Sequence, residues 1–361
     1  MAYTAEERAI IWLCTRTFLD EREKVALLRA AKDPSRLFPF WEEISQSVIK
    51  SEKSRVYMSN PQIREAEAER EIANMERYGI FAVTVCSDDY PFCLKQIPDP
   101  PLVLYGRGNR ELLTKRKFAI VGSRITPPWA EKQTKLISGV LSKNFVVVTG
   151  FAEGGDRAAV DGALESGNLI CVLPQGLDGC YPAGHASLKE RVAEKGLLLS
   201  EYPLKTSLRK HHFHARNRIL AGLTEGVLVV SGKLGRSGTL ITASFALEYG
   251  RDVFAFPYNL GVDQGSGCND LIKKGAYLAT GAEDILSAYG MKTEEKEEIS
   301  LTEEERVVYS VLKEGGELHA TVIAERAGLQ VYEIAAVLSS LEMKNLVVRA
   351  GALRGNMKGK I

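Results

Sequence analysis

A chain of 361 residues is long enough for two or three domains, and its 45% hydrophobic and 26% charged residues are typical of a soluble globular protein. No apolar run approaches the ~20 residues that a membrane span requires, and the amino-terminal residues lack the basic and apolar regions of a secretory signal, so we expect a cytoplasmic protein with no membrane partner. The formal net charge of +1 excludes a uniformly positive surface, so any contact with nucleic acid has to be confined to one place.

Residues 1–80 are predicted to form a small helical domain, because apolar residues recur at helical spacing over 5–19 and 22–31, and 63–78 is rich in Glu, Ala and Arg. Residues 81–116 follow as a proline-punctuated connector that is expected to pack on the next domain. Short apolar runs at 80–85 and 102–105 predict two strands in this part of the chain.

Residues 117–290 alternate short β-rich apolar runs with helical segments. Apolar runs without alternation indicate strands that are covered on both faces, so an extended Rossmann-like, doubly wound and mostly parallel α/β sheet is predicted. The predicted strands lie at 118–121, 145–148, 169–173, 227–230 and 253–256, with a further strand-like run at 197–199.

Residues 291–300 contain four glutamates and two lysines, which predicts a linker. Residues 301–361 are then predicted to form a winged-helix-like domain, with three short helices at 303–313, 321–327 and 331–344 and a small hairpin at 346–354. The third of these helices is poor in the Arg and Asn side chains that read base edges, so a protein contact or a weak backbone contact is favoured over duplex recognition.

Glycine and polar residues follow the carboxyl ends of four predicted strands, which is where open parallel sheets bind their ligands. Glycine allows backbone N–H groups to approach an oxyanion closely, and the following helix N-terminus adds positive potential. These loops predict an anion site, although each glycine alone is explained by a tight turn. The loops are Gly122-Ser123-Arg124, 149–156, 174–178 and 231–239.

The segment from Lys205 to Arg218 carries five Lys or Arg residues, three His residues, Phe213 and no acid. Guanidinium groups bind phosphate oxygens, and an aromatic ring beside them offers a face on which an unpaired base can stack. The anion is therefore either a nucleotide or a nucleic-acid backbone.

Neither the Gly-x-Gly-x-x-Gly dinucleotide motif nor a Gly-x-x-x-x-Gly-Lys-Ser/Thr phosphate loop is found, so no cofactor is expected. The consecutive histidines His211 and His212 point in divergent directions and have no acidic or Cys partner at short spacing, so no metal is expected. Asp156 and Asp161 are interpreted as structural residues, and no catalytic residue is predicted. The six cysteines form no Cys-x-x-Cys pair and are interpreted as free thiols.

The order of these motifs resembles the DNA-processing protein A family (DprA, also called Smf). The resemblance spans about 118–285 and extends more loosely into both flanks. The motifs that carry it are Gly122-Ser123-Arg124, 149–156, Gly176-Leu177-Asp178 with Tyr181-Pro182, Ser200-Glu201-Tyr202-Pro203, Phe213 with 216–223, 237–243, and Gly267-Cys268-Asn269. Val160, Ser231 and Tyr258 stand where the family usually has His, Glu and Gly.

The resemblance implies a non-catalytic protein that binds single-stranded DNA, protects it, and loads RecA recombinase during natural transformation. It also implies a homodimeric Rossmann-like core with a sterile-alpha-motif-like domain before it. The predicted DNA-binding residues combine the family pocket with the loops described above. They are Gly122, Ser123, Arg124, Gly150, Lys205, Arg209, Lys210, Phe213, Arg216, Asn217, Arg218, Arg236, Ser237, Gly238 and Thr239.

A second hypothesis is a nucleotide-binding and nucleotide-cleaving enzyme related to the lysine-decarboxylase-like Rossmann proteins. Those enzymes carry a catalytic Glu in a Pro-Gly-Gly-x-Gly-Thr-x-x-Glu pattern. This chain keeps the glycine and threonine of that pattern at Gly238 and Thr239 but has Thr242 at the position of the Glu.

Overall fold

The computed structural model describes residues 2–16, 18–51, 60–235, 237–291, 301–344, 346–349 and 356–359. The chain divides into two compact units, Met1–Met291 and Lys292–Ile361. No helix in the described residues is long and apolar enough to cross a membrane.

In the described part of the first unit, the α-helices are α1 (Ala5–Cys14), α2 (Glu21–Ala31), α3 (Trp41–Val48), α4 (Pro61–Arg77), α5 (Phe92–Lys95), α6 (Pro128–Leu141), α7 (Gly155–Ala163), α8 (Ala186–Lys195), α9 (Lys210–Gly222), α10 (Gly238–Glu248), α11 (Ser266–Lys273) and α12 (Ala282–Ala288). Its strands are β1 (Phe81–Thr84), β2 (Val103–Gly108), β3 (Lys117–Val121), β4 (Val146–Thr149), β5 (Leu169–Val172), β6 (Leu197–Ser200), β7 (Gly226–Val229), β8 (Asp252–Ala255) and β9 (Tyr277–Leu278).

All nine strands form one sheet in the order β1-β2-β6-β5-β4-β3-β7-β8-β9. Every pairing from β6 to β9 is parallel, whereas β2 pairs antiparallel with β6 and β1 pairs antiparallel with β2. The predicted α/β class with a mostly parallel sheet is therefore confirmed. The two strands of the predicted connector extend the same sheet at one end.

Side chains of the sheet alternate between two hydrophobic clusters, one on each face. Phe118 and Ile120 of β3 lie in the cluster that also contains residues of α6, α7, α8 and α12. Ala119 and Val121 lie in the cluster that contains residues of α9, α10 and α11. The apolar runs of the sequence are continuous because both faces of each strand are buried, as parallel sheets require.

The sheet reverses its winding at β3. The chain passes from β3 to β4, β5 and β6 on one side, and β7 then pairs with the other edge of β3. The helix after β3 and the helix after β7 consequently lie on opposite faces and leave a crevice between their connecting loops. This topological switch point is the place where a doubly wound sheet binds its ligands.

The N-terminal helices begin at sequence-encoded caps. Thr4 and Glu7 form a capping box on α1, and Asp20 and Glu23 form one on α2. Helix α1 ends at Cys14, short of the predicted residue 19. One side of α1 buries Trp12 in a local core with Trp41, and its other side contributes to the cluster on the sheet.

The second unit contains α13 (Glu303–Gly315), α14 (Ala320–Ala327) and α15 (Val331–Met343) around a small hydrophobic core. Its strands β10 (Glu317–His319), β11 (Val347–Arg349) and β12 (Asn356–Gly359) form an antiparallel sheet in the order β10-β12-β11. The three helices lie close to their predicted ranges, whereas the second strand of the pair, β12, lies beyond the hairpin predicted at 346–354. The winged-helix class itself stays a prediction.

Candidate nucleic-acid interface at the switch point

A cleft of about 340 Å³ opens at the switch point. It is bounded by the loop after β3, the start of α7, the α9 helix and the start of α10. The residues that line it are Val121, Gly122, Ser123, Arg124, Ala152, Asp156, Phe213, Arg216, Asn217, Leu220, Ser237, Gly238, Thr239 and Thr242. The glycine-rich loops and the basic segment singled out from the sequence thus meet at one place.

Two of those glycine-rich loops touch each other through their backbones. A Cβ on Gly122 would lie 2.7 Å from the Cα of Gly155, closer than real Cβ atoms approach. The N–H of Gly155 donates a hydrogen bond of 3.2 Å to the carbonyl of Ser123. Glycine is needed at position 122 because the loop after β3 packs directly against the first turn of α7.

The floor of the cleft contains a buried pair of opposite charges, Asp156 and Arg216, which are 4% and 5% exposed. The carboxylate of Asp156 accepts the N–H groups of Gly122 at 3.0 Å and Ala152 at 3.3 Å. Burial raises the pKa of Asp156, against the lowering effect of Arg216 and of these N–H groups. Asp156 therefore serves to hold the two loops together.

Arg216 points inward from α9, where its Nη1 donates a hydrogen bond of 2.9 Å to the carbonyl of Val172 at the end of β5. The guanidinium lies against Gly150, at which a Cβ would be 1.9 Å from Nη1. Burial lowers the pKa of Arg216, and the neighbouring Asp156 opposes that effect. Arg216 thus supplies positive charge from beneath the cleft, and Gly150 makes room for it.

The N-terminus of α10 faces the cleft from the other side. Ser237 caps this helix by accepting the N–H of Thr239 at 3.3 Å. Asn217 of α9 donates a hydrogen bond of 3.0 Å to the carbonyl of Gly238, which ties the two helices together. Because a helix N-terminus presents free N–H groups and a positive partial charge, this side of the cleft favours an anion.

The rim of the cleft combines one guanidinium with two aromatic rings. Arg124 is exposed, and its Cζ atom lies 5.4 Å from the ring centre of Phe213 and 5.5 Å from that of Tyr181. The two rings meet edge to face with their centres 5.6 Å apart. The sequence predicts Phe213 as the stacking ring and contains Tyr181 only within a family motif. An aromatic residue in the loop after β5 is the signal that points to this second ring.

The remaining predicted residues lie around the cleft or away from it. Lys205, Arg209 and Lys210 are exposed just before and at the start of α9. Arg218 is turned to the far side of α9, where it pairs with Glu201 at 2.5 Å and Asp99 at 3.1 Å. Arg236 falls outside the described residues.

The histidines next to Phe213 diverge. His212 is buried, bonds the carbonyl of Pro174 through Nδ1 at 3.0 Å, and stacks on Tyr202 with the ring centres 4.1 Å apart. Burial lowers the pKa of His212. His214 instead meets Phe245 edge to face. In the described ranges no group of three or more His, Cys, Asp or Glu side chains is arranged to hold a metal ion.

The residues at the three unusual positions are accommodated by local contacts. The hydroxyl of Ser231 accepts the N–H of Ser123 at 2.9 Å and bonds the Thr126 hydroxyl at 2.8 Å, which holds the loop that carries Arg124. The hydroxyl of Tyr258 donates to the carbonyl of Val230 at 2.6 Å. Val160 is fully buried in the core beneath the sheet.

The doubly wound sheet defines a Rossmann-like protein, and its switch-point cleft joins a helix N-terminus, an exposed arginine and two aromatic rings. Residues 81–290 match the family model of the DNA recombination-mediator protein A. The chain belongs to this family.

Proteins of the family resemble the chain over most of their own length. This chain is 39% identical over 229 residues to the DNA processing protein DprA of Streptococcus pneumoniae, and the match covers 63% of this chain and 79% of that one. It is 36% identical over 274 residues to the protein Smf of Escherichia coli, covering 71% and 72%.

Two solved structures share the fold. The X-ray structure of DprA from Streptococcus pneumoniae has a TM-score of 0.65 and 33% identity, covering 80% of this chain and 98% of that one. A structure of DprA from Helicobacter pylori, reported for its single-stranded DNA binding mode, has a TM-score of 0.53 and 31% identity, covering 58% and 95%.

Proposed function

We propose that the chain is a recombination mediator that binds single-stranded DNA in the switch-point cleft. The observation that carries the proposal is the exposed guanidinium of Arg124 lying against the rings of Phe213 and Tyr181 at the mouth of a cleft with a positive helix N-terminus. Membership of the DNA recombination-mediator family supports it.

In this proposal phosphate oxygens bind Arg124, the lysine side chain of Lys210 and the N–H groups at the start of α10. A base stacks on Phe213 and takes the ring face that the guanidinium now covers. The guanidinium then turns to the adjacent phosphate. A single strand can replace the contact between Arg124 and Phe213 because it supplies both a base for the ring and a phosphate for the guanidinium. The contact is easily replaced, since a cation–π interaction at an exposed site contributes only about 0.5–1 kcal/mol.

An unpaired strand fits this arrangement better than a duplex does. The faces of duplex bases are covered by their neighbours, so they are not available to Phe213 or Tyr181 unless the helix is opened at a cost of a few kcal/mol. Base stacking on aromatic side chains contributes about 1–3 kcal/mol per base and tolerates every sequence. We therefore expect preference for single strands with little sequence specificity.

Titration of a labelled oligothymidylate and a duplex of equal length, followed by fluorescence anisotropy at two salt concentrations, tests the proposal. Arg124→Ala is expected to lower the slope of log K against log salt by about 0.7, because one phosphate contact is lost. Phe213→Ala is expected to weaken binding by about 1–3 kcal/mol with the slope unchanged, since stacking is not ionic. Lys50→Ala, an exposed lysine away from the cleft lining, is the control.

Failure of the parent protein to bind single strands would overturn the function itself. Binding by both cleft variants with the affinity and salt slope of the parent would instead move the site elsewhere.

Protection of incoming DNA, loading of RecA recombinase, homodimer formation and a role in natural transformation extend the same proposal. They are supported by family membership and by the family motifs of the sequence. Light scattering in solution measures the oligomeric state, and RecA filament assembly on coated single strands, with and without this protein, measures loading.

The alternative of a nucleotide-cleaving enzyme has a separate test. Among the cleft-lining residues Asp156 is the carboxylate, and it is engaged by backbone N–H groups, whereas Thr242 occupies the position of the catalytic Glu. Release of free base from nucleoside monophosphates would establish the enzyme, and no release is expected.

A further inference from the structure

We propose that a single strand held in the switch-point cleft leaves it over Trp129 and continues along a lysine-lined groove on the outer face of α6. This inference rests on the proposed function, and it assigns to the opposite side of the sheet a second contact region for the same strand. The outer face of α6 carries Trp129 at its start, then Lys132, Lys135 and Leu136, with Lys143 just past its end.

Trp129 is an aromatic platform that is supported from behind. It is 46% exposed, and its ring stacks against Phe256 at 6.0 Å with an angle of 29° between the planes. Tyr258 lies 4.9 Å from it and is held by its hydroxyl on the carbonyl of Val230 and by two hydrogen bonds with Asn269. Because these contacts already hold the ring in place, little side-chain entropy is lost when a base stacks on its exposed face.

A groove of about 300 Å³ lies between α6 and α7. The two helices approach closely because of Gly139 and Gly162, at which a Cβ would meet the backbone carbonyl of the other helix at 3.3 Å and 2.2 Å. The residues that line the groove are Lys132, Lys135, Leu136, Gly139, Val140, Lys143, Asp161 and Gly162.

The charge of this groove is positive. The carboxylate of Asp161 is paired with Arg157 at 2.9 Å, so it does not offset the lysines. Lys132 and Lys135 are exposed, and neither has an ion-pair partner in the part of the chain that the structure describes. A row of lysines beside apolar Leu136 and headed by an aromatic ring matches a ligand that alternates phosphates with flat bases.

One short loop connects the cleft to the start of α6. Arg124 lies five residues before Trp129, so their Cα atoms are at most about 18 Å apart. Ile125 between them is 75% exposed, and the hydroxyl of Thr126 anchors the loop on Ser231. Because α6 and α9 lie on opposite faces of the sheet, the strand crosses the carboxyl edge at this loop.

Tryptophan fluorescence of the intact protein reports the predicted contact. Trp12 and Trp41 are 0% exposed, so quenching by added DNA comes from Trp129. An oligothymidylate of about 20 nucleotides is expected to quench the signal, whereas one of about 6 nucleotides, near the lower end of single-strand site sizes, is expected to bind the cleft without quenching. Trp129→Phe removes the signal and keeps a ring, so its affinity for the long strand should stay within about twofold of the parent.

The lysines are tested with the double variant Lys132→Ala/Lys135→Ala. Its slope of log K against log salt should fall by about 1.4 for the long strand and not at all for the short one. Lys50→Ala/Lys95→Ala changes the charge equally at exposed positions outside the groove and should leave both slopes unchanged.

The outcomes separate this inference from the function on which it rests. If neither strand binds, the proposed function fails. If both strands bind but the long one leaves Trp129 unquenched or the lysine variant keeps its slope, the cleft stands and the route over α6 is overturned. Binding of the long strand without quenching or without a change of slope is also the result expected if this face binds an acidic protein instead of DNA.

Discussion

Replacing Arg218 by alanine separates a structural role from a DNA-binding role in the basic segment. The sequence groups Arg218 with the DNA-binding residues, yet its guanidinium pairs with Glu201 at 2.5 Å and Asp99 at 3.1 Å. The side chains of Arg218 and Glu201 are 11% and 12% exposed, whereas that of Asp99 is 64% exposed. Burial raises the pKa of Glu201, and Arg218 opposes that shift.

The expected loss follows from this burial. Breaking a buried ion pair by removing one partner costs about 3–5 kcal/mol, because the other charge is left without compensation. Glu201 keeps a little solvent contact, so we expect the lower end of that range. A loss of about 3 kcal/mol lowers the melting temperature of a unit of this size by roughly 6–12 °C. Arg218 does not line the cleft, so the affinity of the folded variant for single strands should stay within about twofold of that of the parent.

Thermal and urea denaturation measure the stability, and anisotropy titration below the melting temperature measures the affinity. The double variant Arg218→Met/Glu201→Leu replaces the pair with apolar side chains of similar length and should recover most of the lost stability. Arg209→Ala is the opposite case. Arg209 is exposed and has no ion-pair partner among the described residues, so its removal should leave the stability unchanged and reduce the affinity for DNA. An Arg218→Ala protein that is as stable as the parent and has a lower salt slope would refute the reasoning.

Two further predictions concern the floor of the cleft and the second unit. Gly122→Ala should destabilise the first unit by about 1–3 kcal/mol in urea denaturation, because the added Cβ overpacks against Gly155. Gly184→Ala is the control, since a Cβ there meets nothing within 4 Å. Equal stabilities of the two variants would contradict the close approach of the loops. Glu305 has a folded pKa lowered to about 2, chiefly by the hydrogen bond from Lys344, so its stabilising effect is present above the ordinary pKa of 4.5 and is lost as the pH falls towards 2. Hydrogen exchange of residues 303–343, corrected for intrinsic rates, should therefore rise on acidification in the parent, and Glu305→Gln should reduce that pH dependence. If the variant showed the same pH dependence as the parent, Glu305 would not be responsible for it.

The fold class was predictable because its signals are local. Continuous apolar runs such as 145–148 mark strands that are buried on both faces, and the structure has β4 at Val146–Thr149. The loops at the carboxyl ends of such strands have to share one edge of a parallel sheet, which is why Gly122 and Ser237 line the same cleft. The edge strand β9, Tyr277–Leu278, consists of two residues that are both exposed, so no continuous apolar run marks it in the sequence.

Individual roles within the basic segment were not predictable in the same way. Successive residues of a helix point in different directions, so Phe213 on the rim, Arg216 beneath the floor and Arg218 on the far side all belong to one turn and a half of α9. Their partners Val172 and Glu201 lie at the ends of β5 and β6, far away in the sequence.

The amino-acid sequence by itself determined the doubly wound sheet and the edge at which the cleft opens, and it predicts an anionic ligand there, because strand burial, glycine turns and local charge are properties of neighbouring residues. Only the tertiary structure decided which cations face the cleft, that Tyr181 completes the aromatic rim, and that α6 presents Trp129 and its lysines beyond the cleft. Those choices depend on contacts between segments that are brought together by the sheet, and long-range packing of this kind leaves no periodic trace in the chain.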